Sequence, residues 1–212
     1  MTTLDIFADP VCPWCLIGRA HLMAALAQRP GHGLTIAWHP YQLDPTMPPG
    51  GHDRQTYMEA KFGGPEAVAR INAQVEQAAK VAEVAVDIAA ITRRPNTFDA
   101  HRLIYWAGLE GAQDRVMAGL MHAYWAEGRD IGAPEVLAEV AAAAGMDREL
   151  VARLLASDAD TQETRAREEH ARARGVRAVP TFVIANTHAV EGAQGADFWL
   201  QVIDELSAKT QG

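Results

Sequence analysis

Strand-like sequence is confined to the two ends of this chain. At residues 3–8, TLDIFA alternates apolar Leu4, Ile6 and Ala8 with polar Thr3 and Asp5 and stops at Asp9-Pro10. A second β-branched, alternating run is GLTIAWHPY at 33–41. Nothing comparable returns before AVPTFVIA at 178–185 and HAVEG at 188–192, joined through Asn186-Thr187 as a tight connection. The two ends therefore make one α/β unit, and whatever lies between them is inserted into it.

Helical spacing fills the rest. From Pro13 the apolar positions Leu16, Ala20, Met23, Ala24 and Ala27 recur by threes and fours until Pro30-Gly31. The proline- and glycine-rich stretch DPTMPPGG at 44–51 is the clearest boundary. Strand character disappears between about 52 and 174. Helices are predicted from Pro65 toward Ile88, from Thr97 to Gly108 and across 115–128. Two more occupy 133–155, with Gly145 stopping the first and Asp147 capping the second, and a polar helix spans 161–175. A final helix puts Phe198, Val202, Ile203 and Leu206 on one side. The predicted organisation is a discontinuous α/β domain, 1–45 with 175–212, and an all-helical insertion, 46–174.

The only two cysteines, Cys12 and Cys15, lie in DPVCPWCLIG, where the first strand gives way to the first helix. If the helix starts from Cys12, its sulfur meets unpaired backbone N–H groups at the positive end of the helix dipole, which favours thiolate. Helix N-termini and C-x-x-C spacing bring thiol pKa values to about 3.5–7.5, against about 8.5 for a free thiol. Cys15 is one turn further on the same face, within reach of a mixed disulfide on Cys12. Pro13 suits the first turn because it lacks the N–H that would go unpaired there. Zinc would need two more donors. There is no second cysteine pair, and the eight histidines show no H-x3–5-H pairing, so no metal site is expected.

Composition narrows the partners. Apolar residues make up 49% and charged residues 22% of 212, ordinary for a globular chain, and 19 basic against 27 acidic side chains give a net charge of −8. Nucleic acid is not an expected partner. The first residues lack the basic and apolar regions of an export signal, and no run approaches the roughly 18 apolar residues of a membrane span, so a cytoplasmic protein with no membrane partner is expected. A close cysteine pair in that compartment is catalytic, redox-sensing or metal-binding rather than structural.

The sequence resembles the thioredoxin superfamily, and more closely its DsbA family of thiol-disulfide oxidoreductases. DPVCPWCLIG matches the redox-active segment, and GVRAVPTFVI at 175–184 matches the loop in which a cis-proline precedes a strand. Within the family, DPVCPWC and PNTFDAHRL are most similar to the FrnE-like branch. The resemblance implies a thioredoxin-like fold with an inserted helical domain. Catalytic Cys12 and Cys15 would exchange a dithiol and disulfide with protein or low-molecular-weight thiols, with no cofactor required. Substrate would be bound by Pro13, Trp14, Val179 and Pro180. Relatives that are glutathione-dependent 2-hydroxychromene-2-carboxylate isomerases or kappa-class transferases contact glutathione where this chain has Asn96 and His101. They give one alternative, with glutathione as co-substrate; a non-catalytic peptide-binding or chaperone module is another. The sequence does not reveal the oligomeric state.

Other residues have plainer readings. Asp9 is expected to cap the first helix rather than to perturb Cys12 by charge. His101 and Arg102 are ordinary helix-start residues unless they bind an anion. The arginines at 165–177, interleaved with Glu163, Glu168 and Glu169, read as helix-face ion pairs. The two YWA triplets, at 105 and 124, read as core.

Overall fold

The computed structural model describes residues 2–211. Its main sheet has four strands, β1 (Thr2–Ala8), β2 (Leu34–Pro40), β5 (Thr181–Ile184) and β6 (His188–Glu191), in the order β2-β1-β5-β6. β1 runs parallel to β2, with Ile6 opposite Trp38, and antiparallel to β5, with Ile6 opposite Phe182. β5 and β6 form the closing hairpin. Both ends of the chain thus share one sheet, as the distribution of strand-like sequence requires.

Period-two alternation divides the sheet into two faces. Leu4, Ile6 and Phe182 are fully buried on the side covered by α1 (Pro13–Gln28) and α9 (Ala196–Gln211), where Trp199 meets Phe182 edge-on with ring centroids 4.7 Å apart. Asp5, Phe7 and His39 face the other side, toward α8 (Thr161–Ala173). There Glu168 accepts from the Gln42 amide at 2.9 Å and Arg172 donates to the Gln42 carbonyl at 2.7 Å, tying α8 to the segment after β2. Arg167–Glu163 and Arg172–Glu168 are the i,i+4 pairs expected of α8.

The middle of the chain is mainly helical: α2 (Arg54–Phe62), α3 (Pro65–Val81), α4 (Phe98–Leu109), α5 (Gln113–Trp125), α6 (Pro134–Ala143) and α7 (Arg148–Leu155). Asp147 caps α7 as predicted, accepting from the Glu149 and Leu150 amides at 2.9 Å. Three expectations need correction. α3 stops at Val81 rather than near Ile88, because Glu83 turns left-handed (φ 56°) and the Val84 amide folds back to the Ala79 carbonyl. α2 was not predicted. Strand structure is also not wholly absent from the middle, since β3 (His52–Asp53) pairs antiparallel with β4 (Arg93–Arg94) in a separate two-residue ladder. Gly51 opens that ladder at φ 65°, where a Cβ would stand 2.4 Å from the Arg94 carbonyl oxygen. Among the described residues no helix is long and apolar enough to cross a membrane.

Candidate active site

β1 ends in a tight turn in which the Cys12 amide donates to the Asp9 carbonyl at 2.9 Å. Cys12 then adopts extended backbone as the N-cap of α1, Pro13 follows at the first helical position, and the Cys15 and Leu16 amides donate to the Cys12 carbonyl at 3.1 and 3.2 Å. Cys12 is the N-cap residue of α1, and its side chain makes no capping hydrogen bond. The expectation that Asp9 caps this helix is overturned. Its carboxylate, 1% exposed, is turned away and accepts from the Val11 amide at 3.4 Å and the Leu43 amide at 2.8 Å.

Both cysteines are free thiols with different surroundings. Hydrogen bonding from the Cys15 side chain holds Cys12 below the ordinary thiol range, against the opposing effects of burial and of the Asp9 charge. Cys15 is pushed well above that range, first by burial and then by its contacts with Cys12. The pair is poised with one thiol ready to ionise and the other holding its proton. The Val179–Pro180 peptide bond is cis, and Cys12 Sγ lies 3.6 Å from the Val179 carbonyl oxygen. α1 reaches this loop because Gly18 has no side chain: a Cβ there would meet Pro180 Cγ at 3.2 Å and Phe182 Cζ at 3.4 Å.

Cys12, Pro13, Trp14 and Val179 open on a common cavity of about 430 Å³, whereas Cys15 is sealed behind them. Pro180 stands beside it in the loop. Trp14 is 41% exposed at the mouth. Trp125, whose Nε1 donates to the Pro10 carbonyl at 3.0 Å, and Tyr124 form the floor, so the second YWA triplet is core and cavity wall at once.

Asn96 and His101 do not line this cavity. Asn96 spends its side chain on the backbone, donating to the Met47 carbonyl at 2.5 Å and accepting from the Phe98 amide at 2.8 Å. His101 is 1% exposed, 3.8 Å from Asp9, and neither ring nitrogen has a hydrogen-bond partner among the described residues. Arg102 is buried beside it, donating to the carbonyls of Leu154, Ser157 and Ala159. An anion reaching the cysteines would not touch any of the three. Sequence reasoning missed Arg54, Tyr57 and Arg94, which do line the cavity and lie on or beside β3, α2 and β4. The one available cue was Asp53, whose capping of α2 fixes where Arg54 begins.

A dithiol at a helix N-terminus, facing a cis-proline loop across a β-α-β and β-β-α sheet, defines a thioredoxin-like fold. The chain belongs to the DSBA-like thioredoxin domain family, whose model matches residues 3–204. It is similar to a probable DsbA oxidoreductase from Streptomyces coelicolor, 30% identical with a TM-score of 0.85, covering 97% of this chain and 89% of that one. The fold is shared with a 2-hydroxychromene-2-carboxylate isomerase (18% identical, TM-score 0.74, covering 99% and 98%). It is shared also with the cytosolic disulfide reductase DsbM from Pseudomonas aeruginosa solved with GSH (19% identical, TM-score 0.67, covering 97% and 99%).

Proposed function

We propose that this protein is a thiol-disulfide oxidoreductase in which Cys12 is the exchanging thiol and Cys15 the resolving one. The observation that carries the reading is the placement of the two sulfurs, Cys12 at the N-cap of α1 and open to the cavity, Cys15 buried one turn behind. In the reducing direction the Cys12 thiolate attacks a substrate disulfide, forms a mixed disulfide and releases one thiolate. Cys15 then gives up its proton to that leaving group, which departs as a thiol, and attacks Cys12 Sγ, releasing the second substrate half as a thiolate. Two electrons pass from the dithiol to the substrate, and a Cys12–Cys15 disulfide remains. The Val179 backbone and Pro180 position the substrate against Cys12, with Pro13 and Trp14 on the other side.

Protein or low-molecular-weight thiols of the cytoplasm regenerate or consume the disulfide, and glutathione is the co-substrate that the DsbM relative suggests. The isomerase alternative loses support, because Asn96 and His101, the residues proposed to meet glutathione, are occupied or buried away from the sulfur. The test is the redox equilibrium of the pair in glutathione buffers, followed by tryptophan fluorescence and thiol trapping. Reversible two-electron cycling at about −270 to −120 mV is expected. The reading fails if Cys12→Ser leaves turnover of a disulfide substrate unchanged.

A further inference from the structure

The cavity beside Cys12 carries positive charge that its own walls do not pair. Arg54 and Arg94, each 7% exposed, stand on one wall. The β3–β4 ladder and the bond from the Arg54 amide to the Thr92 carbonyl bring their segments together. Arg94 Nη1 donates to the Val11 carbonyl at 3.0 Å, and Arg54 Nη2 donates to Asn72 Oδ1 at 2.9 Å. The buried Tyr124 side chain interacts with both. Among the described residues neither guanidinium has a carboxylate partner within ion-pair distance.

The nearby acids are engaged elsewhere. Asp9 favours the charged form of Arg94 through space but binds the Val11 and Leu43 amides. Asp44 accepts from the Tyr57 hydroxyl, and Asp53 caps α2. Glu76 lines a second cavity that Arg54 also borders, and among the described residues it forms no ion pair with Arg54. Buried arginines are paired as a rule, and a guanidinium presents several N–H groups in a planar fork matched to a carboxylate. Beside the arginines the lining is largely apolar, with Trp14, Met58, Phe62, Ile71 and Val75, and Lys61 and Arg177 add further positive charge. At about 430 Å³ the space suits a small organic molecule.

We infer that the substrate exchanged at Cys12 is a small organic disulfide carrying a carboxylate on an apolar, ring-sized body, with Arg54 and Arg94 binding the carboxylate and the apolar wall receiving the body. This rests on the dithiol exchange proposed above and adds its substrate class. The Cys12 thiolate attacks one substrate sulfur, the substrate S–S bond breaks, and the carboxylated thiolate leaves; Cys15 completes the two-electron reduction as already described.

The test is stopped-flow reaction of the reduced protein with two aromatic disulfides, dithiobis(nitrobenzoate), which carries carboxylates, and neutral dithiodipyridine. Arg54→Gln and Arg94→Gln should each slow the carboxylated reagent about tenfold relative to the neutral one, the size of one charge-assisted hydrogen bond, with partial recovery in Arg54→Lys. Because both reagents meet the same thiolate, a changed Cys12 reactivity cancels in the ratio. An unchanged ratio overturns the inference and leaves the dithiol reading standing. Failure of both reagents to modify Cys12, shown by identical kinetics in Cys12→Ser, sinks the dithiol reading itself. If the glutamine variants do not fold, the unmodified protein decides: para-nitrobenzoate should protect Cys12 from dithiodipyridine where neutral para-nitrobenzamide does not, and equal protection refutes the assignment.

Discussion

Replacing His101 with leucine should remove a proton-linked weakness from the native state. His101 is buried on α4 with neither ring nitrogen hydrogen-bonded among the described residues, and burial lowers its pKa, opposed by the charges of Asp9 and Glu168. The folded protein therefore holds this imidazole neutral where the unfolded chain, titrating near pH 6.5, takes up a proton. A group whose pKa is depressed on folding stabilises the protein above the unfolded value and loses that contribution as pH falls. The loss approaches about 1.4 kcal/mol per pH unit once the unfolded histidine is protonated, and ends when the native one follows. Between about pH 7.5 and about pH 5.5 it amounts to at most about 1.4 kcal/mol, or roughly 3–5 °C in Tm for a chain of this size. His101→Leu, similar in volume, deletes this term and also frees the native state of two unpaired polar atoms worth about 1 kcal/mol or more. Urea unfolding of both proteins at the two pH values isolates the residue, because the other titrating groups are common to both. The variant should match or exceed the parent at the higher pH and lead by a wider margin at the lower. An equal margin at both would refute the reasoning.

Two further perturbations bear on the site. Cys15→Ala removes the donor that does most to hold Cys12 down, so the midpoint of Cys12 alkylation by iodoacetamide should move to higher pH; an unmoved profile would mean that another group stabilises the thiolate. Gly51→Ala puts a Cβ 2.4 Å from the Arg94 carbonyl in a left-handed conformation, and should cost about 3 kcal/mol. Hydrogen exchange at the Arg54 amide should accelerate first, while exchange within β1 stays slow.

The order of elements was legible because two simple periodicities carry it. Alternation marked β1, β2 and the closing hairpin, and Cys12-Pro13 announced the start of α1. The ladder of β3 and β4 was not legible, since two-residue strands have no period, and Arg54 and Arg94 are far apart in the chain with no motif between them. His101 misled for a different reason. α4 is buried on almost every side, from Ala100 through Ile104, so it has no polar stripe by which an inward-facing histidine could be told from an exposed one. Asp9 was misassigned because its partners, the Val11 and Leu43 amides, are set by the turn and by the chain after β2 rather than by helix-capping spacing.

If Arg54 and Arg94 select the substrate as inferred above, the short β3–β4 ladder makes selectivity separable from the proposed chemistry. The sulfur pair depends on the sheet and the first turn of α1, whereas the cationic wall hangs on a clasp of two residues a side outside that sheet. Changes within 52–94 can therefore retune what the cavity accepts, or loosen its rim, while the geometry of Cys12, Cys15 and the Val179–Pro180 loop stays intact. On that reading the sulfur pair is a fixed tool and the clasp is its interchangeable jaw.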